Sequence, residues 1–118
     1  MDKSLMVVLV KGGIRTRVIK FLATKRVPFA LFGDFDTAEV AYKRENYSGV
    51  IFHCGASDWP KIVPFANRLV SEKIPVVVIS WSILSFSGLD APFISTSGWD
   101  GDYMKSVRQW LKANQFVS

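Results

Sequence analysis

Short apolar runs of strand length recur along the chain and alternate with longer segments of helical periodicity. Four runs are apolar at nearly every position: Leu5 to Val10, Phe29 to Phe32, Val50 to Phe52, and Ile74 to Ile79. A fifth, shorter run extends from Ala91 to Thr96. Runs without polar alternation are typical of strands covered on both faces, as in a parallel sheet.

Helical spacing of apolar residues predicts a helix after most of these strands. The first extends from Ile14 to Thr24, and the last from Asp100 to Ala113. Asp36 is the expected N-cap of the second helix, with Glu39 as its capping-box partner, and Ser57 or Asp58 is the expected cap of the third. Alternating strands and helices require crossover connections, which predicts an α/β fold with one parallel sheet between two helical layers.

The fourth connection departs from this pattern. Only eleven residues separate Ile79 from Ala91, and Ser80, Ser82, Ser85 and Ser87 make the segment rich in serine. Eleven residues hold at most about two stable helical turns after allowance for the ends, and Ser favours caps and turns over helix interiors. We therefore predict that the fourth helix is short or missing.

Length, hydrophobic content and the single cysteine narrow the class of protein. The 118 residues, 49% of them hydrophobic, suffice for a single domain spanning residues 1–118. The lone Cys54 excludes an internal disulfide and a cysteine-based metal site. No apolar stretch has the length of a membrane span. The acidic Asp2 is not expected in a signal peptide, which begins with a positively charged region. We expect a cytoplasmic protein that does not bind membranes.

Three stretches resemble the receiver domain of response regulators. They are Val27 to Gly33 with Ala38, Tyr47 to His53, and Pro75 to Ser80, which match the second, third and fourth strands of that family. The resemblance implies a flavodoxin-like (βα)5 three-layer sandwich with five parallel strands. It also implies where a receiver's phosphorylation residues would lie.

The positions that carry receiver chemistry are mostly replaced. A receiver needs an acidic pair for a divalent cation, a phosphoacceptor Asp, a Ser or Thr, and a Lys. The corresponding residues in this chain are Lys11-Gly12, His53, Ser80, and Thr96 or Ser97. A Lys at the place of the carboxylates repels a cation, so we expect no metal, no cofactor and no catalysis. The resemblance then implies a pseudo-receiver, a regulatory module that acts without phosphorylation, either free-standing or within a longer signalling protein.

Large apolar residues in and near the fourth connection suggest where a partner binds. We predict a partner-binding surface formed by Trp81, Phe86, Leu89 and Trp99. Its partner would be another protein or a second copy of the chain. The apolar residues of the connection would also cover the sheet where a helix is lacking.

The same residues leave other functions open. His53 and Cys54 are adjacent, so on a strand they point to opposite faces and cooperate poorly in catalysis. Lys11-Gly12-Gly13 could cradle an anion, although a tight turn explains it as well. The chain also resembles one lobe of a sugar-binding protein, which is the first alternative function. The second is weak nucleic-acid binding through the basic first helix, which the sparse bases and the lack of interleaved aromatics disfavour.

Overall fold

The computed structural model of the chain describes residues 4–9, 13–54, 58–80, 88–95 and 103–117. Their elements, in chain order, are β1 (Leu5–Leu9), α1 (Gly13–Thr24), β2 (Phe29–Phe32), α2 (Phe35–Arg44), β3 (Gly49–His53), α3 (Trp59–Ser71), β4 (Val76–Ser80), β5 (Phe93–Ser95) and α4 (Tyr103–Ala113). None of these helices is both long and apolar enough to cross a membrane.

The five strands form one sheet in the order β2-β1-β3-β4-β5, and every neighbouring pair is parallel. The central pairing aligns Val7 with Ile51, and Ile51 with Val77, and all three side chains are fully buried. This order confirms the predicted flavodoxin-like sheet, because the chain crosses back past β1 once and then continues in one direction.

Alternate residues of the strands serve two separate cores. Met6, Val50 and Phe52 pack with α2 and α3 on one face of the sheet. Leu5, Val7 and Ile51 pack with α1 and α4 on the other. Because successive strand residues point to opposite faces, runs that are apolar at every position produce the predicted three-layer sandwich.

The start of α2 corrects the predicted cap. The helix begins at Phe35, and Asp34 rather than Asp36 is its N-cap: an Asp34 carboxylate oxygen accepts the Thr37 N–H at 2.8 Å, and the other accepts the Thr37 hydroxyl at 2.8 Å. Phe35 is buried with its ring 6.1 Å from that of Phe52, which fixes the helix start. Glu39 is not a capping-box partner, because it accepts a hydrogen bond from Arg68 at 3.0 Å.

Residue Asp58 occupies the N-cap position of α3, as one of the two predicted alternatives had it. Its side chain makes no capping hydrogen bond, since its backbone is already helical, with φ −90° and ψ −8°. Pro60 lies in the first turn of this helix, where its missing N–H costs nothing.

Asn67 of α3 holds the end of the connection between β4 and β5. Its side-chain amide donates to the carbonyl oxygen of Gly88, and its side-chain oxygen accepts the N–H of Asp90 at 2.8 Å. Residues 88–92 are not helical. The rest of the predicted short or missing helix falls on residues 81–87, which lie outside the described residues.

Three helices end with the same turn. Arg26, Lys73 and Gln115 adopt left-handed backbones with φ of 57°, 62° and 64°. The next residue in each case donates its N–H back to the helix: Val27 to Leu22, Ile74 to Leu69, and Phe116 to Leu111, at 2.9–3.0 Å. This is the Schellman motif, which satisfies carbonyls at the helix end and inserts an apolar residue after it.

Candidate functional site

In an open parallel sheet, ligands bind beyond the carboxyl ends of the strands. At this edge β3 ends with His53, which lies between Leu9 of β1 and Ile79 of β4 in the register of the sheet. The place at which the resemblance puts a phosphoacceptor is therefore the centre of the edge, and an imidazole occupies it.

The imidazole of His53 is half-buried. Its Nδ1 atom is buried and has no hydrogen-bond partner among the residues that the structure describes. Burial lowers the pKa of His53 below its usual 6.5, and the negative charge of Asp58 opposes that shift in part. The side chain is therefore neutral at pH 7, a state unlike the ionised carboxylate of a working receiver.

Cys54 follows His53 but belongs to the other side of the sheet. It is 1% exposed and packs in the core beside α2 and α3, while His53 shares the α1/α4 side with Ile51 by strand alternation. Burial and the nearby Asp58 raise the pKa of the Cys54 thiol to about 12. A buried, protonated thiol is a poor nucleophile, so the two residues do not form a catalytic pair.

The retained Ser80 ends β4. It is fully buried, and its backbone pairs with Ser95 of β5. Strand alternation places its side chain on the α2/α3 face with Val76 and Val78, so it lies on the opposite face from His53. The structure thus brings His53 and Ser80 to the same edge of neighbouring strands but not to the same face.

Acidic residues near this edge serve local structure. Asp34 follows β2 and caps α2, and its hydrogen bonds to Thr37 lower the pKa of its carboxyl group. Asp36 is well exposed and lies 3.6 Å from Lys61. Within the described ranges, no three His, Cys, Asp or Glu side chains are grouped as metal ligands.

Several predicted site residues lie outside the described residues. These are Lys11, Gly12 and Ser97 of the degenerate receiver site, and Trp81, Phe86 and Trp99 of the predicted partner surface. Gly13, the last residue of the Lys11-Gly12-Gly13 segment, is the exposed first residue of α1. Leu89 is described: it is half-buried and packs against the α2/α3-side core. Its role in partner binding stays a prediction.

Solved structures similar to this one are receiver domains. The receiver domain of a Pseudomonas aeruginosa sensor histidine kinase, solved with magnesium in its active-site cleft, superposes with a TM-score of 0.71 at 10% identity, over 98% of this chain and 99% of that one. A Francisella response-regulator receiver domain matches with a TM-score of 0.64 at 14% identity, over 95% and 98% of the two chains. The chain has a receiver-like fold.

A third neighbour of this receiver-like chain is an atypical orphan response regulator, described as working through a phosphorylation-independent regulatory mechanism. Its TM-score is 0.70 at 14% identity, with 98% of both chains covered. No family model matches the sequence, and no curated protein does either. The likeness to these solved structures is therefore one of fold alone.

Proposed function

We propose that this protein is a non-enzymatic regulatory module that acts through protein–protein contacts and without phosphorylation. The observation that carries the proposal is His53 at the end of β3, between Leu9 and Ile79. Phosphorylation of a receiver needs an ionised carboxylate as nucleophile at this place and a cation held by carboxylates beside it.

His53 meets neither need. It is not a carboxylate, its imidazole offers no oxygen ligand of the kind that magnesium prefers, and its Nδ1 is enclosed by protein atoms. Lys11, which the resemblance assigns to the place of the acidic pair, would add a positive charge that repels magnesium. The receiver-like neighbours are signalling modules, and one of them is described as regulated without phosphorylation, which supports the same reading of this chain.

Phosphorylation is tested by NMR on the 15N-labelled protein. We expect that acetyl phosphate, or beryllofluoride, with magnesium leaves the amide resonances of residues 49–54 and 76–80 unchanged. Magnesium alone is the matched control for ionic effects. Magnesium-dependent shifts that cluster around His53 and disappear in His53→Gln would show that the edge still accepts a phosphoryl group and would refute the proposal.

The predicted partner surface is tested separately. The wild-type domain and a Trp81→Ala, Phe86→Ala variant are used as bait in extracts of the source cell, and bound proteins are identified by mass spectrometry. Val40→Ala is the matched control, because Val40 is a large apolar side chain on α2 that is 50% exposed. We expect a partner that the double variant loses and the control retains. Equal retention by both variants would remove this surface from the proposal.

A further inference from the structure

The helical layer formed by α1 and α4 carries charge of one sign. The two helices and the turn after α1 contain eight basic residues and no acidic residue: Arg15, Arg17, Lys20, Lys25, Arg26, Lys105, Arg108 and Lys112. All except Arg15 are exposed. Within the helices alone, α1 and α4 carry six bases and no acid, whereas α2 and α3 of the opposite layer carry four bases and two acids. The positive charge of the described chain is therefore concentrated on one face.

Contacts between α1 and α4 make these residues a single surface. The Arg17 guanidinium lies 5.8 Å from the centre of the Tyr103 ring, and the Arg108 guanidinium lies 6.0 Å from the centre of the Phe21 ring. Between the helices is an open cavity of about 320 Å³, whose lining includes Phe21, Met104, Lys20 and Lys25. We call the exposed surface of α1 and α4 the basic face.

We propose that the basic face binds the phosphate backbone of duplex nucleic acid without reading its sequence. A pI near 9.6 with the bases clustered on one face is the electrostatic footprint of such proteins. The 12 residues of α1 give a helix about 18 Å long at the usual rise per residue. Duplex DNA carries one charge per roughly 1.7 Å of its axis, counted over both strands, so a stretch of that length carries about ten phosphates. These are enough for the three bases of α1 and for those of the neighbouring turn and α4.

An acidic protein fits the basic face less well than a duplex does. Protein interfaces are anchored by a buried apolar centre with aromatic hot spots. On the basic face, Tyr103 is buried and Phe21 is half-buried, and each ring has a guanidinium over it. Trp110 of α4 is also half-buried, and its ring is stacked on that of Phe116, with 5.8 Å between ring centres. The same coverage argues against single strands, whose bases need open aromatic rings for stacking. Backbone phosphates require only the cations. This inference does not depend on the proposed regulatory function.

The chain offers a matched pair of variants for the test. One variant combines Lys20→Gln, Lys25→Gln and Lys112→Gln on the basic face. The control combines Lys43→Gln, Lys61→Gln and Lys73→Gln on the opposite layer. All six lysines are exposed, and both variants lower the net charge by the same amount, so only the position of the lost charge differs. Circular dichroism and thermal unfolding check that both variants remain folded.

Binding is measured by fluorescence anisotropy with a labelled 20-base-pair DNA duplex of arbitrary sequence, titrated at several salt concentrations between 50 and 200 mM. For the wild type we expect log affinity to fall linearly with log salt. The basic-face variant should lose about three units of that slope, roughly one per phosphate contact removed, and bind at least tenfold more weakly at the lowest salt. The control should keep the wild-type slope.

Three results would overturn the proposal. The first is the absence of binding at the lowest salt, and the second is an equal loss in both variants, which would indicate attraction by net charge alone. The third is tighter binding of poly-glutamate than of the duplex at the same salt, which would make an acidic protein the occupant of the face. Failure here leaves the NMR test at His53 untouched, because the two experiments use different surfaces and different readouts.

Discussion

Gly49, the first residue of β3, lies against the aromatic ring of Phe116 near the C-terminus. A Cβ atom at Gly49 would be 2.7 Å from Cζ and 3.0 Å from Cε2 of that ring, and 3.1 Å from Cδ2 of Leu5. The ring cannot move away freely, because it is stacked on Trp110 with 5.8 Å between ring centres, and the Phe116 N–H is bonded to Leu111. Gly49→Ala should therefore overpack the core.

The sign of the stability change distinguishes overpacking from the usual effect of replacing glycine by alanine. Replacing a strand glycine by alanine without strain stabilises a protein by about 0.4–1 kcal/mol, because the unfolded chain loses entropy. Overpacking costs about 1–3 kcal/mol. We expect the overlap with Phe116 to win, so that Gly49→Ala lowers the free energy of unfolding by about 1–2 kcal/mol.

Reversible urea unfolding of four proteins measures this effect: wild type, Gly49→Ala, Phe116→Ala and the double variant. Removal of the ring abolishes the overlap, so on the Phe116→Ala background the alanine at position 49 should be neutral or stabilising. The coupling energy between the two sites is then about 1–3 kcal/mol. A destabilisation of the same size on both backgrounds would place the strain at Leu5 or the backbone and refute the argument. A stabilising Gly49→Ala in the wild type would show that the ring does not pack there.

Two further predictions concern His53 and the helix ends. Because burial lowers the pKa of His53 in the folded protein, the unfolded chain binds a proton first as the pH falls; stability should therefore drop below about pH 6.5, the usual value for histidine. Urea titrations should show that the free energy of unfolding of the wild type is lower at pH 5.5 than at pH 7.5, and that His53→Gln has a smaller difference. Equal differences in the two proteins would contradict the role of His53. Lys73 has a φ of 62°, which glycine adopts without the steric cost that other residues bear, so Lys73→Gly should stabilise the protein by about 0.5–1 kcal/mol. Lys20→Gly, inside α1, should destabilise it by about 1 kcal/mol and serves as the control; destabilisation by both substitutions in thermal unfolding would mean that Lys73 is not left-handed in solution.

The strands were predictable because a strand that is buried on both faces has apolar residues at nearly every position. The run from Val50 to Phe52 lies within β3, and the predicted run from Phe29 to Phe32 has the same bounds as β2. The cap of α2 was not predictable on the same basis. Both Asp34 and Asp36 have a polar residue three positions later, and the choice between them depends on the burial of Phe35 against Phe52, a contact between distant segments.

The candidate site was predictable in part. The resemblance and the ends of the apolar runs together predicted His53 and Ser80 at one edge of the sheet, and β3 and β4 do end with these residues. That they form a degenerate receiver site stays a prediction. Their separation onto opposite faces follows from strand alternation and could also have been foreseen. The basic face could not be found from helical periodicity, which tells which side of a helix is buried but not which other helix lies beside it. The packing of Tyr103 with Arg17 and of Phe21 with Arg108 shows that α1 and α4 are neighbours.

The hydrogen bonds of Asn67 bear on how the molecule opens. They reach from α3 to Gly88 and Asp90, which lead into β5, a strand of three residues at the margin of the sheet. Elements with few buried contacts open locally before the rest of a domain does. The pair of hydrogen bonds made by Asn67 fastens the chain that leads into β5 to α3. The strength of these bonds contributes to the hydrogen-exchange protection of β5, while the amides of β1 and β3, paired on both sides, exchange only when the whole sheet opens.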